Sequence, residues 1–161
     1  MMHLSARFYE EDTIVYPNTD TVITIHGFVY AKSQRSDDMI AQGAPNRGNI
    51  EGALAHVRGH VGRRGPRRTR VITKAAHLML RLMASHSFTD GNKRTAFVTG
   101  MLFLTMDGYT MKSINEYERS LKFFKRTASK HVHDKNAIRS LRAWITRRIE
   151  DYTEPTSARV P

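Results

Sequence analysis

The chain of 161 residues contains no cysteine, which excludes a disulfide framework and any thiolate-held metal. No apolar run approaches the ~18–20 residues that cross a bilayer. The first twelve residues carry no apolar stretch of the kind that opens a secretory signal. Together these absences predict a cytoplasmic protein with no membrane partner. Repeats, low-complexity tracts and linkers are also missing, so residues 1–161 read as a single domain around one core, with a polar tail frayed from about Thr153. Acidic residues are scarce: 15 Asp and Glu stand against 26 Lys and Arg, a net charge of +11. The imbalance is local, with net −2 over residues 1–50, +8 over 51–100 and +5 over 101–161. Such a field attracts a nucleotide, a nucleic acid or an acidic protein surface, although a high charge also serves solubility.

The positive middle third contains the most informative stretch, His86-Ser87-Phe88-Thr89-Asp90-Gly91-Asn92-Lys93-Arg94. Apolar residues at helical spacing precede it (Val71 to Met83) and an almost wholly apolar helical run follows it (Ala96 to Met106). The reading is helix, short polar loop, helix. A loop that opens a helix offers unpaired backbone N–H groups and the positive end of the dipole, which favours anions. Gly91 lets the backbone come close to a phosphate, Asn92 fixes the loop through its amide, and Lys93 and Arg94 add charge-assisted donors. An imidazole is the side chain suited to proton exchange near neutral pH, which makes His86 the candidate general base. Asp90 offers hard oxygen to a magnesium ion or caps the following helix. Phe88 should point inward and anchor the loop. Base, metal ligand and phosphate cradle in one loop point to phosphoryl or nucleotidyl transfer.

The rest of the chain supports a helical protein. Asp20 to Lys32 has β-branched residues that favour a strand, but Val22, Ile25, Val29 and Ile23, His26, Tyr30 lie at helical spacing, with Asp20 as N-cap. Asn49 opens a helix that runs to about Gly59. Gly62 to Arg70 contains Gly65-Pro66, which no helix interior tolerates, and reads as an exposed loop carrying Arg63, Arg64, Arg67, Arg68 and Arg70. Asp107-Gly108 stops the apolar helix. Glu116 to Lys130 and Asn136 to Tyr152 are amphipathic, the latter with Ile138, Leu141, Ile145, Ile149 and Tyr152 on one stripe. Of the other histidines, His131 and His133 lack a third ligand. His56 and His60 sit at i, i+4 without the glutamate of an H-E-x-x-H frame, so neither pair reads as a metal site.

The motif His-x-Phe-x-Asp-Gly-Asn-Lys-Arg resembles the signature loop of the Fic/Doc superfamily in its death-on-curing (Doc) form. Gly48-Asn49-Ile50-Glu51-Gly52-Ala53-Leu54 is similar to that family's upstream helix start. Ala75-Ala76-His77-Leu78 and Asp107-Gly108-Tyr109 fit its flanks. The resemblance implies an all-α fold, a helical bundle around a buried central helix with a short flap hairpin or loop. It implies ATP and Mg²⁺ as requirements, and it places the arginine-rich 62–70 segment in a flap that guides the target. Steering of an acidic target or of RNA, or a solvated surface, both fit those arginines. Two departures point to the subclass. Lys93 replaces the glycine that Fic nucleotidyl transferases use to leave an open anion hole, and Phe97 stands where they place a second arginine. Both resemble Doc, which implies transfer of the γ-phosphate to a hydroxyl of a protein, a translation elongation factor in that class. The family's self-inhibitory pattern is approached only by Thr146 to Glu150 and is not met, which implies an antitoxin supplied in trans. AMP transfer by the same loop is the alternative reaction. A basic nucleic-acid-binding module is the alternative from another class, although no base-reading motif accompanies the cations.

Overall fold

A computed structural model describes residues 13–33, 43–113, 117–128 and 134–152. Among these residues the fold is all-α, as expected, apart from one two-stranded ribbon. The described residues form six helices: α1 (Thr19–Ser33), α2 (Arg47–His60), α3 (Arg67–Ala84), α4 (Asn92–Met106), α5 (Tyr117–Ala128) and α6 (Lys135–Arg148). The strands β1 (Tyr109–Met111) and β2 (Ile149–Asp151) pair antiparallel, Tyr109 opposite Asp151 and Met111 opposite Ile149. His131, His133 and the tail from Thr153 fall outside the described residues.

An apolar helix needs neighbours on several sides, and α4 has them: it packs on α3 most extensively, then on α1, α5 and β1. Ala96, Phe97, Phe103 and Leu104 of α4 meet Val71, Leu78, Met79 and Leu82 of α3 in one continuous core. The two helices close tightly at Gly100. A Cβ there would stand 2.3 Å from Met79 Cγ and from its Cε, and Met79 is wholly buried. Because Cγ lies near the backbone, the side chain cannot simply swing its tip away. Gly100→Ala is therefore expected to destabilise the fold by about 1–3 kcal/mol through overpacking, read as a lowered urea midpoint at unchanged slope.

Several boundaries differ from those the sequence implied, each for a local reason. Asn18, not Asp20, caps α1, accepting the Thr21 N–H at 2.8 Å, while Asp20 pairs with Arg47 at 2.8 Å. Asn46, not Asn49, caps α2 by accepting the Asn49 N–H at 3.0 Å. Pro66 sits at the N-cap of α3, where a proline's missing N–H costs nothing, so the helix begins at Arg67 rather than at Val71. The last helix stops at Arg148. Ile149 turns extended, and the Lys112 N–H to Arg148 O and Tyr152 N–H to Gly108 O bonds, both 2.8 Å, draw the chain into the ribbon. Tyr152 consequently leaves the stripe of α6 and is half exposed.

Asp107, which ends α4, also ties down the segment before α1. Its buried Oδ1 accepts the Val15 N–H at 2.8 Å and Arg67 Nη2 at 3.2 Å, and its backbone carbonyl accepts Arg67 Nη1 at 2.8 Å. Burial still pushes the carboxyl up to about 6, against the lowering by the Val15 N–H and Arg67. A carboxyl raised in the folded state binds its proton more tightly there than in the unfolded chain. Its stabilising contribution is complete below pH ~3.9 and is lost as pH rises through about 6. Relative to Asp107→Asn, wild type is therefore expected to lose about 2–3 kcal/mol between pH 4 and 7, measured by urea unfolding of both chains across that range.

Candidate active site

The loop between α3 and α4 is held by hydrogen bonds from three sides. α3 ends at Ala84 with Ser85 as its C-cap, and the Ser85 hydroxyl donates to Leu82 O at 2.7 Å. His86 follows in the left-handed region at φ 46°. That position beyond a helix end is normally filled by glycine, because a Cβ there strains the backbone. Strain held at one residue is a mark of functional sites. The His86 side chain is exposed, and its ring has no hydrogen-bond partner among the described residues.

Beyond His86 the chain turns inward. Ser87 is buried, its carbonyl accepting the Asn46 N–H at 2.8 Å. Phe88 packs against the core, with its ring stacked on that of His26 at 3.9 Å between centroids and 3° between planes. Asn92 grips the Phe88 backbone at both ends. Its Oδ1 accepts the Phe88 N–H at 3.1 Å and its Nδ2 donates to the Phe88 carbonyl at 2.8 Å. This amide holds the loop, and Asn92 leaves the set of residues that reach for a phosphate directly. Gly91 takes φ 79° and its carbonyl accepts the Thr95 N–H at 2.9 Å, so Gly91, not Asp90, is the N-cap of α4. The Asp90 carboxylate instead accepts the Gly91 N–H through Oδ1 at 2.6 Å.

At the mouth of the loop Lys93 is exposed and Arg94 half-buried, with no hydrogen-bond or ionic partner among the described residues. Two unpaired cations in the first turn of a helix form a site for an anion. Asp90 is exposed with one carboxylate oxygen committed to the Gly91 N–H, so its other oxygen suits a cation that takes a single carboxylate together with phosphate oxygens and water.

Two supporting groups escaped the sequence reading. His26 is 8% exposed, and its Nε2 lies 2.8 Å from the Asp90 carbonyl. Since a carbonyl only accepts, Nε2 carries the proton. The residue lies on the buried face of α1 with Val22 and Val29, from which the sequence reading had set it apart with Ile23 and Tyr30. Asn49 donates through Nδ2 to the Ser85 carbonyl at 2.8 Å, which fixes the start of the loop against α2. His26→Phe keeps the stack on Phe88 but removes the N–H at Asp90. It is expected to lower kcat/KM for transfer about 10–100-fold through misplacement of the loop, with melting temperature as the control.

The arginine-rich segment lies elsewhere. α3 spans 18 residues, so Arg67 at its start and His86 beyond its end are separated by about 25 Å at ~1.5 Å per residue. Arg63 and Arg64 are exposed in the turn before α3, whereas Arg67, Arg68 and Arg70 are helical. Arg67 holds Asp107, and Arg68 donates to Thr146 O at 3.2 Å. These arginines therefore lie at the end of α3 remote from the loop. Residues 43–46 touch the loop, through the Gly43 N–H to Thr89 Oγ1 at 3.3 Å and the Asn46 N–H to Ser87 O.

A buried helical hairpin whose connecting loop presents a histidine and an anion cradle defines the Fic-type class of site. Residues 16–104 match the family model described as Fic/DOC family, and the chain belongs to that family. It is thus a Fic-type transferase acting on proteins, with a nucleotide as co-substrate. No curated protein and no solved structure matches the chain. Among the described residues, no helix is long and apolar enough to cross a membrane.

Proposed function

We propose that this protein transfers the γ-phosphate of ATP to a hydroxyl side chain of a protein, in the manner of the Doc toxins. The observation that carries the reading is the environment of the two departures from the Fic pattern. Phe97 is fully buried, 5.7 Å from the Phe124 ring and 6.3 Å from the Trp144 ring between centroids, while Lys93 is exposed at the loop mouth. An aromatic residue locked in the core contributes no second guanidinium to a nucleotide, and a lysine fills the space a glycine would leave. The anion cradle therefore rests on Arg94, Lys93 and the backbone around Gly91.

In this mechanism the His86 ring takes the proton of the target hydroxyl as that oxygen bonds to the γ-phosphorus. The bond from phosphorus to the bridging oxygen breaks and ADP leaves. Arg94 and Lys93 offset the charge on the phosphoryl oxygens, and Asn92, His26 and Asn49 keep the loop in place. Asp90 would hold Mg²⁺, which supplies charge neutralisation to the polyphosphate. A translation elongation factor is the proposed target and an acidic antitoxin the proposed inhibitor, matching the positive field of residues 51–100. AMP transfer remains the rival reaction, since Gly91 is shared by both classes. Intact-mass measurement of translation factors incubated with the protein and Mg-ATP tests the proposal. Addition of one phosphoryl group by wild type, absent with His86→Ala, is expected; addition of a nucleoside monophosphate overturns it.

A further inference from the structure

An open cleft of about 460 Å³ lies between α2 and the end of α3, and Ser85, the residue before His86, forms part of its wall. Asn49, Gly52 and Ala53 line it from α2, Arg81 and Ala84 from α3, and no acidic residue is among its lining. Gly52 stands inside α2, where glycine weakens a helix. A Cβ there would nevertheless meet nothing within 4 Å. Packing among the described residues therefore does not require the glycine, and its effect is to keep the cleft open. Arg81 gives the cleft its charge. It is half-buried, its Nε is buried without a hydrogen bond, and no ion pair reaches it among the described residues. Burial lowers its pKa, with no carboxylate nearby to oppose the shift. A guanidinium partly withdrawn from water without a counter-charge is a site waiting for a carboxylate.

Resting on the reading of transfer to a protein hydroxyl, we propose that this cleft selects the target. A segment of the target chain crosses it with the acceptor hydroxyl at His86 and an acidic side chain on Arg81, which makes Arg81 a specificity-determining residue. The spacing follows from the helix. His86 lies five residues beyond Arg81, about 7.5 Å along α3 at ~1.5 Å per residue, and an extended chain covers that in about two or three residues at ~3.3 Å each. Asn49 suits a peptide backbone at the same place. Its Nδ2 is committed to the Ser85 carbonyl at 2.8 Å, which leaves Oδ1 to accept an N–H from the entering chain. The preferred substrate is thus a serine or threonine with an acidic residue at that spacing.

The test uses short fluorescein-labelled peptides with one central serine. An Asp-Asp pair stands either at that spacing, on one side of the serine or the other, or at the far end; a further set carries Lys-Lys at the near spacing. Anisotropy with the full-length protein at physiological ionic strength reads binding, and γ-labelled Mg-ATP reads transfer on the same peptides. A near-pair peptide is expected to bind about tenfold tighter than its far-pair isomer of equal charge, the effect of one charge-assisted contact. Arg81→Gln should remove that preference, and Arg81→Glu should turn it towards the lysine peptide. Arg64→Gln deletes the same charge at the remote end of α3 and should leave the preference intact, which separates Arg81 from the general positive field. Gly52→Leu should weaken binding of the near-pair peptide by obstructing the cleft, with a melting temperature no lower than wild type. Equal binding of the near and far isomers would leave the cleft to another occupant, such as an acidic stretch of this chain, and overturns the proposal. A preference that survives Arg81→Gln overturns it as well. Labelling that ignores Arg81 sinks the role of the cleft alone, whereas binding that depends on Arg81 without any label upholds the cleft and counts against the proposed reaction.

Discussion

His86→Gly is expected to lower transfer to the protein target about 10²–10⁴-fold, the range for losing a general base, while leaving the chain as stable as wild type or slightly more so. The first half follows from chemistry: no other proton acceptor of the loop is an imidazole, and the exposed His86 ring has no competing partner among the described residues. The second half follows from backbone geometry. His86 sits at φ 46°, where glycine meets no Cβ penalty. The gain from relief of strain is about 1 kcal/mol, offset in part by the greater entropy of the unfolded glycine chain. The pairing of outcomes separates the two roles. If His86 mainly secured the end of α3, glycine or alanine would lower the melting temperature and spare turnover. Retained transfer would remove the residue from the mechanism.

Arg94→Ala is expected to be the other large loss, about 10²–10³-fold in kcat/KM, comparable to removing one preorganised donor from a transition-state anion site. Arg94 is half-buried with no partner among the described residues, so it stabilises little of the fold that alanine would forfeit. Arg94→Lys keeps the charge but not the planar fork, and a fork matched to two phosphate oxygens is not replaced by a point charge. Lysine should therefore recover less than a tenth of the lost activity. Steady-state kinetics on the three proteins decides it, and full rescue by lysine would show that only net charge matters at this position.

Helices with a strong apolar period were readable from the sequence, and so was the loop. Val71, Leu78, Met79 and Leu82 announce the buried face of α3, and the apolar run from Ala96 to Met106 announces a central helix, because burial is what their periodicity encodes. Element ends were less legible, since they depend on which of several adjacent groups wins a cap. Asn18 and Asp20, or Asn46 and Asn49, are equivalent by residue type and are separated only by where the N–H groups point. The β1–β2 pair was missed because three-residue strands carry no period, and the pairing depends on backbone bonds between segments about forty residues apart.

The site divides the same way. His86, Asp90, Gly91, Lys93 and Arg94 lie in one stretch, so their proximity needs no tertiary structure. His26 is 64 residues from the Asp90 carbonyl it bonds, and nothing local in α1 distinguishes it from a core histidine. Lys74 was hidden for the same reason. Read as one polar residue in an apolar helix, it extends its Nζ to Val57 O at 2.9 Å and Val61 O at 2.6 Å, closing the end of α2. The arginines of 63–70 show the converse case. Composition gives them a charge but not an address, and the length of α3 sets them at the end of the helix remote from the loop.

The most direct test of the central claim is to incubate the protein and Mg²⁺ with translation factors in parallel with α-labelled and γ-labelled ATP, for wild type and for Lys93→Gly. Label from the γ position alone, on a protein, with Lys93→Gly admitting some label from the α position, is the expected result. Label from the α position with the wild-type protein would contradict it and make this chain a nucleotidyl transferase despite the lysine in its loop.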